Sequence, residues 1–308
     1  MAFGTKNSLA VERPHARYWA VLFFGGLIWG VTFSMAKIAT EGGAHPIGLN
    51  IWQSFLGFVI LCGGMLLRGE RIPVSRKHLG FYAVCGFFGT ALPGVLYFYA
   101  AIHVSAGVLA ITLATVPILT LMIAFTVGHE KPVFSRMLGI SLGILGIAMI
   151  VLPDTSLPDR SVVPWVLVAV VCALCYAIEN IFIGMRMPDD VDAMTVLCGM
   201  LAMGTMMAAS AAYVTDSFYR PVYPLTEVEW AVLVMAVVNV IAYGMFIYLV
   251  NGAGPVFASQ MAYIVTLSGM AWGMVLFDEQ HSVWIWAALI VLIAGVALVK
   301  PRHNDQGM

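Results

Sequence analysis

Charged side chains are scarce in this sequence, where Asp, Glu, Lys and Arg together make up only 10% of 308 residues. A soluble domain carries roughly 25% charged residues, so this chain lacks the charge to cover a water-facing surface. Hydrophobic residues make up 61% of it, and the mean hydropathy is +0.93. We therefore expect a lipid bilayer as its surroundings. The net charge of −1 argues neither for nor against a charged macromolecular partner, and we expect no nucleic acid partner.

Several signatures of other protein classes are also missing. No stretch shows the strict alternation of membrane β-strands, so spanning segments are expected to be helices. No G-x-x-x-x-G-K-[ST] or H-E-x-x-H motif occurs, which argues against an ATPase and a metalloprotease. The five cysteines lie in apolar runs, and Cys172 and Cys175 lack a second pair that would complete a zinc site. We therefore expect packing cysteines, no metal and no cofactor.

Long apolar stretches dominate the chain and run to roughly 20 residues, the length of a helix that crosses ~30 Å of hydrocarbon. They predict an all-α membrane protein with ten transmembrane helices. The predicted spans cover residues 18–39, 46–67, 79–101, 105–127, 135–152, 163–185, 193–214, 228–250, 256–277 and 283–300. The connections between spans are short, so most function is expected inside the helix bundle.

The basic residues predict an orientation in the membrane. If the N-terminus lies in the cytoplasm, twelve Lys and Arg residues fall in cytoplasmic segments, and only Arg160 and Arg220 fall outside. Cytoplasmic loops of membrane proteins carry such an excess of Lys and Arg. Both termini are therefore predicted to be cytoplasmic, in a multi-pass protein of the inner (plasma) membrane.

A weak internal repeat relates the two halves of the chain. A shift of 149 residues aligns Tyr99 with Tyr248, Val116 with Val265, Glu130 with Glu279, Ile144 with Ile293, Gly146 with Gly295 and Ala148 with Ala297. Five spans per half is an odd number, so the second repeat must be inverted relative to the first. Inverted repeats recur in secondary transporters, with the substrate site near midplane where the halves meet.

This repeat predicts the domain organisation. A cytoplasmic tail (1–17) precedes the first five-helix repeat (18–152). An outer linker (153–162) leads to the second repeat (163–300), and a cytoplasmic tail (301–308) follows.

Three segments carry a resemblance to a known family. The first span reads GGLIWGVTFSMAKI (25–38), and the third and fourth spans read YFYAAIHVSAGVLAITLATVPILTLMIAFTVGHEKP (97–132). The sequence NGAGPVFAS (251–259) is the equivalent turn in the second half. In their order and spacing these segments resemble the EamA type of the drug/metabolite transporter superfamily, over nearly the whole chain. The resemblance implies a ten-helix transporter of amino acids, nucleotide precursors, amines or other metabolites, often an exporter.

Two positions depart from the pattern of that family. The usual Gly-Glu after the fourth span is replaced by His129 and Glu130. The central Pro117 of the fourth span has Thr266 at the matching position of the second half. The second departure leaves open whether the ninth helix bends as the fourth is expected to do.

Glu179 is the acidic residue placed well inside a predicted span. A charge in hydrocarbon costs at least ~2.5–3.5 kcal/mol, so Glu179 is expected to face the bundle interior with a partner or a proton. Burial disfavours the charged form of a carboxyl group, which would let Glu179 exchange protons near neutral pH. Glu179 could carry a coupling proton or bind a cationic substrate group. The alternative is a structural role, such as an ion pair with Arg186 seven residues on.

Lys37 lies nearer the end of its span. Its long stem could carry the ammonium group to the outer interface, or the ammonium group could bind a substrate carboxylate. Both interpretations stay open.

Other polar residues within predicted spans are candidates for a substrate cavity. Pockets are mostly apolar with a few placed polar groups, and any single one of these residues could instead only pack or bond between helices. The candidates are Trp29, Tyr97, Tyr176, Asn239, Tyr243, Gln260 and Tyr263. Pro93 and Pro117 lie mid-span and are hinge candidates, because proline removes a helix hydrogen bond. The stripe Gly139, Gly143 and Gly146 suits close helix packing or a homodimer face.

The leading hypothesis is a secondary active transporter that moves a small-molecule substrate by alternating access. The substrate would be an amino acid, an amine or a related compound, and protons are the candidate coupling ion. The alternative is an intramembrane enzyme acting on a lipid or prenyl substrate, which would need several metal-binding carboxylates, whereas Glu179 stands alone. A channel would show a ring of pore-lining charge, which is not visible. We therefore expect that this protein is not an enzyme.

Overall fold

The computed structural model describes residues 16–128, 133–253 and 255–298. Within these ranges the backbone forms helices and turns but no β-strand. The long apolar helices are α1 (Ala16–Glu41), α2 (Pro46–Leu67), α3 (Arg76–His103), α4 (Ala106–Thr126), α5 (Phe134–Val151), α6 (Val163–Arg186), α7 (Ala193–Thr215), α8 (Glu227–Ala253), α9 (Met261–Phe277) and α10 (Val283–Leu298). A short helix, Pro255–Ala258, precedes α9.

The prediction of ten transmembrane helices is confirmed in part. In the described ranges, eight helices (α1 to α8) are long and apolar enough to cross a bilayer, whereas α9 and α10 have 17 and 16 residues. The predicted ninth span, 256–277, is interrupted by a turn at Ser259 and Gln260. The chain is thus an all-helical, multi-pass membrane protein, with eight full-length candidate spans and two shorter apolar helices in its described part.

Short polar residues fix several helix ends. Asp192 accepts a hydrogen bond from the Thr195 amide at 2.8 Å at the start of α7, and Ser105 accepts one from the Val108 amide at 3.4 Å at the start of α4. These side chains satisfy amides that the first turn of a helix leaves without a partner. Asp216 ends α7 in the left-handed region with φ 51°, a conformation that Asp adopts more readily than most residues.

The helix connections define two ends of the bundle. One end, which we call the basic end, contains the end of α2, the start of α3 and the end of α6, with Arg68, Arg76, Lys77 and Arg186. The α3–α4 turn and the loops after α5 and α9 lie at the other, which we call the opposite end. At the basic end His78 Nε2 is 3.0 Å from Asp190 Oδ1, which joins the start of α3 to the loop after α6. This hydrogen bond with His78 lowers the pKa of Asp190.

The first helix of each half packs into the other half. α1 lies mainly against α8 and α9, and α6 lies against α3 and α4. Glycines permit this close approach in α1. A Cβ on Gly26 would meet Ile264 at 2.7 Å, and a Cβ on Gly30 would overlap the Ser268 side chain. Small residues let membrane helices pack at short distance, so the contact between α1 and α9 depends on them.

The glycine stripe of α5 packs inside the protein. A Cβ on Gly146 would meet Leu292 of α10 at 2.5 Å, and a Cβ on Gly143 would meet Ile118 of α4 at 2.6 Å. Gly139 is buried, and its carbonyl oxygen would lie 3.0 Å from a Cβ on Gly295 of α10. The stripe therefore serves close packing of α5 on its neighbours, and a homodimer stays a prediction.

The departure at Pro117 corresponds to a real difference between the halves. α4 is interrupted by a turn at Ala114–Thr115, because Pro117 has no amide proton to donate to the carbonyl of Leu113. In contrast, α9 runs without interruption through Thr266, whose hydroxyl donates to the Ala262 carbonyl at 2.9 Å. The fourth helix is broken and its counterpart is not. A hinge function of Pro117 stays a prediction.

Candidate functional site

The middle of α3 departs from a regular α-helix. Residues Phe87–Ala91 form a π turn just before Pro93, which has no amide proton. Asn50 of α2 donates from Nδ2 to the carbonyls of Thr90 and Ala91, each at 3.3 Å. A buried side chain from a neighbouring helix therefore satisfies backbone groups at this irregular turn, as hydrocarbon surroundings require.

Glu179 of α6 lies directly on this π turn. Its side chain is buried, and its carboxyl atoms occupy the space where a Cβ at Gly89 would be. Only glycine at position 89 permits this approach. From the same helix, Cys172 Sγ contacts the Pro93 carbonyl at 3.3 Å. The π turn of α3 is thus held from two sides, by α2 and by α6.

The Glu179 carboxyl group has no hydrogen bond and no ion pair with any residue in the described ranges. The ion pair with Arg186 that the sequence left open does not form, and Arg186 is exposed at the end of α6. The hydroxyl of Thr90, next to Gly89, is likewise buried without a partner in the described part of the chain. Buried polar groups are normally paired, so these two side chains require an explanation.

Two tyrosines lie near this acid, and a third lies beside one of them. Tyr176 precedes Glu179 by about one turn of α6, and Tyr243 extends from α8; both lie close enough to interact with its charge. Tyr97 of α3 lies near Tyr176 and Cys172. These tyrosines are only half-buried by solvent-accessible area. The arrangement offers aromatic faces and hydroxyl groups next to one carboxyl group.

A second set of contacts joins α1 to these tyrosines. Trp29 Nε1 donates to Asn239 Oδ1 at 3.0 Å, which links α1 with α8 one turn from Tyr243. The Tyr97 hydroxyl is 3.5 Å from the Thr32 carbonyl of α1. We call the six residues that these contacts bring together the central cluster. It consists of Trp29, Tyr97, Tyr176, Glu179, Asn239 and Tyr243.

Lys37 lies apart from the central cluster. Its ammonium group donates to the carbonyls of Ala101 and Ile102, each at 3.2 Å, at the end of α3. It also forms an ion pair with Glu41 at 3.5 Å. Cations stabilise the carbonyl end of a helix, so these contacts favour a structural role, and substrate binding by Lys37 stays a prediction.

Gln260 and Tyr263 form no polar bond with the central cluster in the part of the chain that the structure describes, and their place in a substrate cavity stays a prediction. Gln260 lies in the turn before α9, outside the helix that the sequence predicted to contain it, because the backbone breaks at Ser259–Gln260. Tyr263 follows in the first turn of α9 and is half-buried. No hydrogen bond, ion pair or ring contact joins either residue to Glu179 or Tyr243 across the described ranges.

Glu279 fastens the two halves together at the opposite end. Its carboxylate accepts hydrogen bonds from the amides of Ala106 at 2.7 Å and Gly107 at 3.0 Å, at the start of α4. Anions stabilise a helix N-terminus, and this one comes from the other half of the chain. His281 lies 3.4 Å from the same carboxylate. Burial lowers the pKa of His281, and the charge of Glu279 opposes that shift.

The loop between α7 and α8 is also tied down. Glu229 accepts hydrogen bonds from the amides of Val222 at 2.9 Å and Thr226 at 2.8 Å, and from the Tyr219 hydroxyl. Burial and the bond to Glu229 raise the pKa of Tyr219 to about 12. Trp52 of α2 donates to the Tyr219 carbonyl at 2.9 Å. The loop is therefore bonded to α8 through Glu229 and to α2 through Trp52.

Sequence reasoning missed Asn50, Thr90 and the capping role of Glu279. Asn50 had a signal, since an amide inside an apolar span needs a partner. The π turn had none, because no residue pattern distinguishes it from the proline kink expected at Pro93. In the described part of the chain, no three His, Cys, Asp or Glu residues lie close enough to hold a metal ion.

Comparison with known proteins identifies the family. The model of the EamA-like transporter family matches residues 17–152 and again residues 163–300. The uncharacterized inner membrane transporter YedA of Escherichia coli (strain K12) is 26% identical over 284 residues, which covers 91% of this chain and 90% of YedA. The uncharacterized transporter YoaV of Bacillus subtilis (strain 168) is 21% identical over 272 residues, with 88% and 92% covered.

A solved crystal structure shares the fold. It superposes with a TM-score of 0.58 at 17% sequence identity, and the match covers 92% of this chain and 96% of the other. At this identity the likeness concerns the fold alone. The family match, in contrast, includes most of the sequence and confirms the resemblance noted in the three segments. The chain belongs to the EamA-like transporter family, and it is a multi-pass membrane protein of that family.

Proposed function

We propose that this protein is a secondary active transporter of a small metabolite, an amino acid, an amine or a related compound. It works by alternating access, and Glu179 exchanges a proton or a cationic substrate group. The observation that carries the proposal is the buried Glu179 carboxyl group, which no described residue pairs, on the π turn of α3 in a member of a transporter family.

Energetics support an exchange role for Glu179. An unpaired charge inside the bilayer costs at least ~2.5–3.5 kcal/mol, so the carboxyl group is stable there with a proton or with a bound cation. Either ligand lowers that cost, and each excludes the other from the same oxygen atoms. Competition of this kind couples the movement of substrate to the movement of protons.

The composition of the central cluster supports a substrate with an amino group. Tyr176 and Tyr243 lie near one acid, Tyr97 lies near Tyr176, and cations bind both carboxylates and aromatic rings. Lys37 is occupied by two backbone carbonyls and Glu41, which leaves the ammonium group less able to bind a substrate carboxylate. A primary or secondary amine thus suits the cluster better than an acid without an amine.

The packing of the halves supports alternating access. α1 lies in the second half and α6 in the first, so movement of one half against the other changes the surroundings of Glu179. The Glu279 cap joins the halves at the opposite end and would have to open during the cycle. The basic residues favour an orientation with both termini in the cytoplasm, which places the Glu279 cap on the outer side.

Uptake into proteoliposomes tests the proposal. Radiolabelled amino acids, amines and nucleosides are supplied to vesicles with the protein, and vesicles without protein give the background. We expect saturable uptake of at least one compound with an amino group. For the Glu179→Gln variant, the matched control is Glu227→Gln, since Glu227 is an exposed acid at the start of α8. Uptake no greater than background across the panel would argue against a transporter of this substrate class.

A further inference from the structure

A groove of about 590 Å³ lies between α3, α4 and α6 and ends at the basic end of the bundle. It is separate from the central cluster. Its walls are apolar and include Phe81, Ile123, Val127, Ile178, Phe182 and Met185. Two basic residues, Lys77 and Arg186, also line it.

One apolar wall of the groove is formed by α6. Its lining residues Ile178, Phe182 and Met185 recur at intervals of four and three, which places them on one face of the helix. Phe182 stacks on Phe81 of α3, with ring centroids 5.4 Å apart and an interplanar angle of 22°. Glu179 lies on a different face of α6, directed at Gly89, so the groove does not share the carboxyl group of the transport site.

The two cations at the groove are not engaged in a close ion pair within the described ranges, although the charge of Lys77 contributes, after the hydrogen bond with His78, to lowering the pKa of Asp190. Lys77 and Arg186 are exposed, and neither forms an ion pair with an acid in the described part of the chain. The nearby Asp190 is bonded to His78 at 3.0 Å. A guanidinium and an ammonium group of this kind bind phosphate oxygens with charge-assisted hydrogen bonds. The groove therefore combines an apolar volume with a positive mouth.

We propose that this groove binds one anionic phospholipid of the leaflet at the basic end. An acyl chain lies along Phe81, Ile178 and Phe182, and the head-group phosphate lies between Lys77 and Arg186. Basic pockets between membrane helices bind anionic head groups in this way, and the lining residues Val127 and Met185 are exposed apolar side chains that an acyl chain would cover. A soluble phosphate would use the cations but leave the apolar walls in contact with other lipid.

Native mass spectrometry of the purified protein in detergent, titrated with phosphatidylglycerol, tests the proposal. The double variant Lys77→Gln, Arg186→Gln is expected to bind roughly 25-fold more weakly, from about fivefold per basic residue at an anionic surface. The matched control is Arg68→Gln, Arg76→Gln, which removes two exposed cations of the same end that do not line the groove. The control is expected to bind as the wild type does.

A second variant tests the apolar part of the groove. Ile178→Trp places a larger side chain in the groove and keeps both cations, so it is expected to weaken the binding of phosphatidylglycerol. Glycerol phosphate, which has no acyl chain, is expected to bind weakly to every variant and to the wild type. Equal binding by the Lys77/Arg186 variant and the wild type would overturn the proposal. So would equal losses in the two double variants, or full binding by Ile178→Trp. Because binding is the readout, failure here is distinguishable from failure of the transport proposal.

Discussion

Glu179 and Gly89 show how one acid is accommodated inside the membrane. The carboxyl group of Glu179 takes the space that a side chain at position 89 would need, so the glycine is required by its neighbour in space. The acid is buried yet has no described hydrogen-bond partner, which leaves its charge to be balanced by a proton or a ligand. A residue with a purely structural role would instead be expected to have a bonded partner.

Gly89→Ala is expected to disrupt this contact. The added methyl group overlaps the Glu179 carboxyl group, and overpacking of this kind costs about 1–3 kcal/mol. We expect a lower melting temperature in detergent and slower transport. The control is Gly80→Ala on the same helix, where a Cβ meets nothing within 4 Å. Equal melting temperatures and rates for the two variants would contradict the close approach.

Asn50→Ala is expected to destabilise the π turn. It removes the donor to the carbonyls of Thr90 and Ala91, and an unsatisfied buried polar group costs about 1–3 kcal/mol. The thermal unfolding of the purified protein checks this, with Asn180→Ala as a control because Asn180 is an exposed amide on α6. A loss in the control as large as that in Asn50→Ala would show that the carbonyl contacts are not responsible.

At the scale of helices, the apolar runs predicted most elements and missed their irregularities. The predicted span 46–67 matches α2, because its ends coincide with Pro46 and the charged residues after Leu67. The break in α4 was predictable from Pro117, since proline removes a specific hydrogen bond. The π turn was not, because it involves a contact with Asn50 of another helix that no local pattern specifies. The break at Gln260 was not predicted either, and nothing in the described part of the chain explains it.

The same contrast holds for the candidate site. Glu179 was identifiable from its charge in an apolar run, and Tyr176 and Tyr243 lie near it as a polar cavity lining would. Lys37 was left open between reaching the outer interface and binding a substrate carboxylate, and its position beside the end of α3 engages it with backbone carbonyls. Which polar residues share a site depends on how the helices pack against each other. The spacing in the sequence shows only which residues lie on the same face of one helix.

Glu279 joins two helices of different halves, so its removal should loosen the opposite end. In Glu279→Gln the charge at the start of α4 is lost, which costs about 1 kcal/mol and shifts the population of the opened end about fivefold. A cysteine at Val108, which is buried beside this cap, reports the opening by its reaction with a membrane-impermeant maleimide. We expect faster labelling in the Glu279→Gln background than in Glu227→Gln. Equal labelling rates would show that Glu279 does not hold this end closed.

At the scale of the whole molecule, the first helix of each half packs against the other half, and Glu179 lies on one of these two helices. The α1 and α6 contacts make the central cluster a joint property of both halves, with residues from α1, α3, α6 and α8. The Glu279 cap joins the halves at the opposite end, and the groove with Lys77 and Arg186 lies near the basic end. The proposed substrate exchange and the proposed lipid binding would thus use different faces of α6.

The most direct test is accumulation of the transported compound driven by an imposed pH gradient, in proteoliposomes with wild-type protein and with Glu179→Gln. We expect the wild type to accumulate substrate above equilibrium and Glu179→Gln to lose gradient-driven accumulation, because glutamine cannot exchange a proton. Glu227→Gln should behave as the wild type. Accumulation that is unaffected by the gradient and by the Glu179 substitution would contradict proton exchange at this residue and return Glu179 to a structural role.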